Sequence, residues 1–127
     1  MAEIILQKVQ KKFGNFTAVA ESDLKIKNGD FFVLLGPSGC GKTTTLRMIA
    51  GLEIPTSGKI ILDNNNVTSL NASQRDIAFV FQLFALYPHL NVEKNLSFPL
   101  KMQKMKKIEI KQRVSEVSKL LRIEHIL

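Results

Sequence analysis

The chain has 127 residues, 45% of them hydrophobic, and 18 Lys plus Arg against 11 Asp plus Glu give a formal charge of +7. That length allows one domain with a modest core, and the charge favours polyanions such as nucleotide, nucleic acid or an anionic membrane face without choosing among them. A single cysteine, Cys40, excludes an intramolecular disulfide and suits a reducing compartment; no apolar stretch approaches the ~20 residues of a membrane span and the N-terminus lacks an export pattern, so a soluble, unexported chain is expected.

Ile4 and Leu6 alternate imperfectly with their neighbours and predict a first strand ending near Val9, broken by Lys11-Lys12-Phe13-Gly14-Asn15. On its residues alone Phe13 reads as core. Residues 18–21 and 24–27 predict two further short strands, and Asn28-Gly29 a tight turn, so residues 1–30 read as an antiparallel meander. Phe31-Phe32-Val33-Leu34-Leu35 is continuously apolar, the pattern of a strand buried on both faces of a parallel sheet.

Gly36-Pro37-Ser38-Gly39-Cys40-Gly41-Lys42-Thr43 comes next: Gly, four free positions, then Gly-Lys-Thr, which is the phosphate-binding-loop pattern. Leu46, Ile49 and Ala50 fall at helical spacing with Gly51 as a left-handed cap, so a helix starts near Gly41. Its unpaired N–H groups and the positive end of its dipole then face the loop. Gly36, Gly39 and Gly41 let backbone amides approach an anion closely, with Pro37, Ser38 and Cys40 completing the loop. Lys42 supplies a charge for the terminal phosphates, the Thr43 hydroxyl one ligand for Mg²⁺, and the Thr44 hydroxyl a contact to the α-phosphate. The competing reading is an incidental glycine-rich turn, which the flanking strand and helix patterns make the lesser one. Cys40 has no base nearby in sequence and reads as a small side chain.

Pro55-Thr56-Ser57-Gly58 predicts a turn and residues 59–62 a strand ending at Asp63. An apolar strand ending in Asp suits a second Mg²⁺ contact, but the strand is short and Asn64 follows, so a hairpin edge fits better. Residues 77–81 predict another buried strand, with Gln82 at its carboxyl end, where open α/β sheets bind ligands. Gln82 is therefore either a contact to Mg²⁺ or the attacking water, or a solvated loop residue. The connection Leu83-Phe84-Ala85-Leu86-Tyr87-Pro88-His89-Leu90 is unusually apolar and calls for cover, by the core or by a partner; His89 lacks metal-ligand spacing and reads as structural. A short helix over 92–96 should begin after Asn91 and stop at Pro99. From Lys106 on, Ile110, Val114, Val117 and Leu121 form a helical stripe. Lys101, Lys104, Lys106, Lys107, Lys111 and Arg113 cluster beside it, and a solvated helix face outweighs a nucleic-acid or lipid contact.

Taken together the residues resemble the N-terminal half of an ATP-binding-cassette (ABC) ATPase subunit of the sugar and glycerol-phosphate importer type. Three features in order carry the resemblance: residues 36–53, then Pro55-Thr56-Ser57-Gly58, then residues 80–90. It implies an α/β fold with a P-loop NTPase-like core over 31–82, an antiparallel β region over 1–30, and the Q-loop and start of a helical subdomain over 83–127. It places Phe13 at the position that stacks on adenine, where the family more often has Tyr or Trp, and Gln82 at the glutamine that senses metal and water. It weakens the metal role of Asp63. ATP and Mg²⁺ are the implied cofactors. The implied partners are a second ATPase subunit in a homodimer and membrane permease subunits docked on the apolar loop after Gln82, giving a cytoplasmic location on the inner membrane face. The family's Leu-Ser-Gly-Gly-Gln signature, Asp-Glu strand and switch histidine have no match here, and His125 is too early to be that histidine.

The expected function is therefore MgATP binding as part of an importer's ATPase, for a carbohydrate-type solute, with Lys42 and Gln82 as the catalytic candidates and no hydrolysis by these 127 residues themselves. Rival readings are a small P-loop kinase using Asp63, a basic nucleic-acid-binding module gripping phosphates with the residues 101–113 cluster, and a cassette serving DNA repair or translation.

Overall fold

The computed structural model describes residues 2–127. Its first ten-residue strand, β1 (Ile4–Phe13), turns at Gly14-Asn15 into β2 (Phe16–Ile26), antiparallel, with Phe13 opposite Phe16 and Ile4 opposite Ile26. Where the sequence pattern suggests three short strands there are two long ones, because the alternation is interrupted by a bulge and not by a strand end. Lys8 adopts φ 48°, and the register slips there against both neighbouring strands. The Lys8 N–H, withdrawn from the ladder, donates to Asp23 Oδ1 at 2.9 Å. The extra residue lets Leu6 and Val9, three positions apart, both point into the core.

β3 (Ser57–Leu62) pairs antiparallel with the other edge of β1, and β4 (Asn65–Asn66) with β3, giving the order β2-β1-β3-β4. Gly58 lies so close to the Lys8 bulge that a Cβ there would overlap the Lys8 carbonyl. The β3–β4 turn is Asp63-Asn64, with φ 45° and 66°, as a two-residue hairpin of the primed type requires. Asp63 thus lies at a hairpin edge, and its Oδ1 accepts from the Glu3 N–H at 2.8 Å.

Helix α1 (Lys42–Ala50) starts and ends on the glycines expected, Gly41 and Gly51. Its buried face is Met48, Ile49 and Ala50, while Leu46 is 46% exposed. Met48 and Ile49 share one core with Leu6, Val9, Val19, Ile60, Leu62 and Val67 from the sheet and the segment after it.

The two runs predicted to be buried strands differ from expectation. Residues 31–35 and 77–81 form no strand, and Phe31, Leu35 and Val80 are 96%, 88% and 93% exposed. A parallel strand is held by ladders on its neighbours. Among the described residues every ladder is antiparallel and belongs to β1–β4, so these apolar runs join no ladder.

The chain divides into two units, Met1–Phe79 and Val80–Leu127. The second contains α2 (Val92–Met102) and α3 (Lys107–Leu121). Asn91 caps α2 as expected, accepting from the Lys94 N–H at 3.0 Å, but the helix continues through Pro99 for another three residues. Proline removes one amide donor, yet its own carbonyl still accepts from the Gln103 N–H. In α3 the buried row is Ile110, Val114 and Ser118; Val117 and Leu121 from the predicted stripe are 40% and 55% exposed. A contact along i, i+4, i+8 selects the serine in place of the neighbouring apolar residues.

Candidate functional site

The loop 36–41 owes its path to glycine at two positions in particular. Gly41, the N-cap of α1, has φ 95° and ψ 3°. A Cβ there would stand 2.5 Å from the Ala18 carbonyl oxygen and 3.0 Å from Val19 Cγ2, so only glycine can seat the loop against β2. At Gly36 a Cβ would lie 2.6 Å from Cys40 Sγ, across the loop. Cys40 is exposed, and its side chain helps fill the turn closed by the Cys40 N–H to Pro37 carbonyl bond.

Lys42 folds back over this loop. Its Nζ donates to the Gly36 carbonyl at 2.8 Å and the Pro37 carbonyl at 2.7 Å, and lies 3.6 Å from Cys40 Sγ. Among the described residues the ammonium has no carboxylate partner. The first turn of α1 contains no acidic side chain and no side-chain cap, so its leading N–H groups also lack a counter-charge. Thr45 closes the turn, its N–H and hydroxyl both bonded to the Gly41 carbonyl. Thr43 is exposed and Thr44 half-buried, and neither hydroxyl is engaged by another described residue. A lysine, a run of orphan amides and two available hydroxyls around glycines suit a polyanion carrying a hydrated divalent cation. ATP with Mg²⁺ therefore fits the residues present.

The far end of α1 is held by a residue the sequence reading missed. Arg75 is only 6% exposed. Its Nη1 donates to the Met48 and Ile49 carbonyls at 2.7 and 2.8 Å, Nε and Nη2 to the Leu70 carbonyl at 3.0 and 2.8 Å, and Nη2 also to the Thr68 carbonyl at 3.4 Å. Burial pushes the guanidinium below its ordinary pKa. The only sequence signal would have been the appetite of a helix C-terminus for a cation.

Phe13 is 49% exposed, so it is not core. Lys11 Nζ lies 4.8 Å from its ring centroid and pairs with Glu53 Oε1 at 2.7 Å. Asp63 is occupied at its turn, and the described residues contain no cluster of three or more His, Cys, Asp or Glu side chains that could hold a metal.

Gln82 belongs to the second unit and stands exposed in a turn. In the connection after it Leu83, Phe84 and Leu86 are 85%, 80% and 68% exposed, and Phe84 and Ala85 adopt φ 64° and 52°. Asn95 clamps this loop to α2: its Oδ1 accepts from the Tyr87 N–H at 2.9 Å and its Nδ2 donates to the Tyr87, Leu90 and Asn91 carbonyls. The Tyr87 ring packs 4.7 Å from Phe98, with His89 edge-on to it at 6.1 Å. The basic residues between Lys101 and Arg113 are all exposed.

A family model described as ABC transporter matches residues 19–127. The trehalose/maltose import ATP-binding protein MalK of Thermococcus litoralis is 51% identical over the whole of this chain and 36% of its own length. The Fe(3+) ions import ATP-binding protein FbpC of Photobacterium profundum is 52% identical over 93% of this chain and 34% of its own. The chain spans about a third of the length of these curated relatives. Among solved structures, the ATP-binding cassette MJ0796, in a dimeric post-hydrolysis state bound to ADP and Pi, superposes with a TM-score of 0.85 at 33% identity. That match covers 97% of this chain and 59% of the other.

Proposed function

We propose, since this chain belongs to the ABC transporter family, that it binds MgATP through residues 36–44 and is part of an ATPase subunit that powers solute import. The P-loop NTPase-like α/β fold is common to it and to the solved cassettes. The observation that carries the binding reading is the Lys42 ammonium, resting on the Gly36 and Pro37 carbonyls without a counter-charge at the head of an uncapped helix. An incoming triphosphate gives that ammonium an anionic partner and gives the leading amides of α1 their acceptors. Thr43 is the residue that would ligate Mg²⁺, and Gln82 is the second candidate for contact with the metal or a water. Mg²⁺ would neutralise charge on the phosphates. Phe13 offers an exposed ring to the adenine.

No residue of this chain matches the signature loop, the Asp-Glu strand or the switch histidine, so the 127 residues bind without turnover. A second ATPase subunit would be a partner, the solved cassettes being dimeric, and permease subunits would cover the apolar loop after Gln82, on the inner face of the membrane. A carbohydrate-type solute is supported by two relatives that match the whole chain and are named for trehalose/maltose and trehalose import, beside others of similar identity named for Fe(3+) ions and spermidine/putrescine.

Titration with a fluorescent ATP analogue and Mg²⁺ tests the binding reading. Replacing Lys42 and Thr43 together by alanine should weaken binding by about tenfold to a hundredfold, the loss of one charge-assisted contact and one hydroxyl. Equal affinity in the double variant would end the proposal.

A further inference from the structure

Lys11 and Glu53 are charged residues that nucleotide binding as described does not use, yet they pair with each other and Lys11 lies over Phe13. Lys11 Nζ stands 4.8 Å from the centre of the Phe13 ring, inside the roughly 6 Å over which a ring face attracts a cation. It is held there from behind by Glu53 Oε1 at 2.7 Å and by the Ile54 carbonyl at 2.7 Å. The Lys11 side chain is 13% exposed, so it is held largely out of water while the Phe13 ring beside it is 49% exposed.

Main-chain bonds continue the attachment. The Thr56 N–H donates to the Gln10 carbonyl at 2.8 Å, and Thr56 Oγ1 accepts from the Lys12 N–H at 2.9 Å. Residues 53–56 are the segment that leaves α1 after Gly51. The end of β1 that carries Phe13 is thereby stitched to the exit of the helix whose entrance forms the phosphate loop. The hairpin tip is also near that entrance: Gly41 abuts β2 at Ala18, two residues from Phe16, which is about 7 Å along a strand. Phe16, opposite Phe13, is 64% exposed. Of the two rings, Phe13 is the one with a cation fixed over it.

We propose that Lys11, braced by Glu53, is a positioning residue for the nucleotide base: it covers one face of Phe13 and leaves the other as the stacking platform. The inference rests on the reading that this site binds ATP. A ring pinned on one face loses less freedom when a base settles on the other, and the ammonium polarises the ring toward an electron-rich purine. Discrimination between a nucleotide and a bare phosphate chain then runs through the Lys11–Phe13 pair.

The test compares MgATP with inorganic tripolyphosphate, each by displacement of the fluorescent analogue. Lys11→Met should weaken MgATP about threefold to tenfold and leave tripolyphosphate within about twofold. Lys11→Arg should keep ATP affinity, and in a Phe13→Ala background Lys11→Met should cost nothing more. The chain has no tryptophan, so Phe13→Trp supplies a single tryptophan whose ligand-free emission should shift when Lys11→Met is added. An equal loss for both ligands with no shift in that emission overturns the proposal. So does a Lys11→Met loss that persists without Phe13, or a Phe16→Ala loss as large as that of Phe13→Ala. Failure of the wild-type chain to bind either ligand would instead sink the phosphate-loop reading on which this one stands.

Discussion

Arg75 donates through all three of its nitrogens to main-chain carbonyls and meets no carboxylate. Its removal would strand the Met48 and Ile49 carbonyls at the buried end of α1. Arg75→Met should therefore cost about 2–4 kcal/mol in a urea titration, and Arg75→Lys should restore only part, because a single ammonium cannot reach carbonyls of four residues that the planar guanidinium spans. Glu53 is half-buried and has a pH signature. The hydrogen bond from Lys11 holds its carboxyl below the ordinary 4.5. A depressed folded value means the stabilisation is present above the unfolded value and is lost as pH falls below 4.5 through the lowered one. The difference in urea midpoint between wild type and Lys11→Met should thus be present near neutrality and vanish in acid; a difference that persists would exclude the ion pair as its source. At this scale the phosphate loop was legible because its residue types and spacing are dictated by local backbone geometry. Arg75, Lys11 and Glu53 were not, because the hydrogen-bond and ion-pair partners that fix them lie 5 to 43 residues away and are mostly main-chain atoms with no side-chain signature.

The same division holds for elements. The start and end of α1 could be read because Gly41 and Gly51 are conformational necessities, with φ 95° and 75°. β1 was read as a fragment because the Lys8 bulge imitates a strand end in the hydrophobic pattern, and β2 as two because the polar Ser22-Asp23 interrupts its apolar residues. Pro99 was read as a stop for α2, yet the helix runs on to Met102 and buries Ser97. In α3 the stripe was placed one residue off because Ser118, fully buried, donates its hydroxyl to the Ser115 carbonyl and so enters a dry contact without penalty. Helix α3 ends on Arg122 at φ 57°, a left-handed position at which the N–H bonds back to the Ser118 and Lys119 carbonyls. Arg122→Gly should remove that strain and raise stability by about 1 kcal/mol, read as a higher urea midpoint. No change would mean that the arginine side chain makes an offsetting contribution.

Across the whole molecule, the apolar runs that read most clearly as interior are those on the outside. Phe31, Leu35, Val80, Leu83 and Phe84 are each at least 80% exposed. Residues 31–35 and 77–81 were read as buried strands and residues 83–90 as a connection needing cover, yet the first two form no strand and all three are largely exposed, because an apolar pattern alone does not say what covers it. Dye that reports exposed hydrophobic surface should bind the chain in buffer and its urea transition should be broad; a sharp transition with no dye binding would contradict this. The phosphate loop sits on the boundary between these regimes. Its helix side is fastened through Gly41 to β2 and through Arg75 to the body of the fold, whereas its Gly36 side hangs from a run that joins no ladder. Such a grip has one fixed jaw and one loose one, and closing it is work the ligand must do. Amide exchange at residues 31–36 should accordingly slow when MgATP is added, while exchange in the interior of α1 stays as it was.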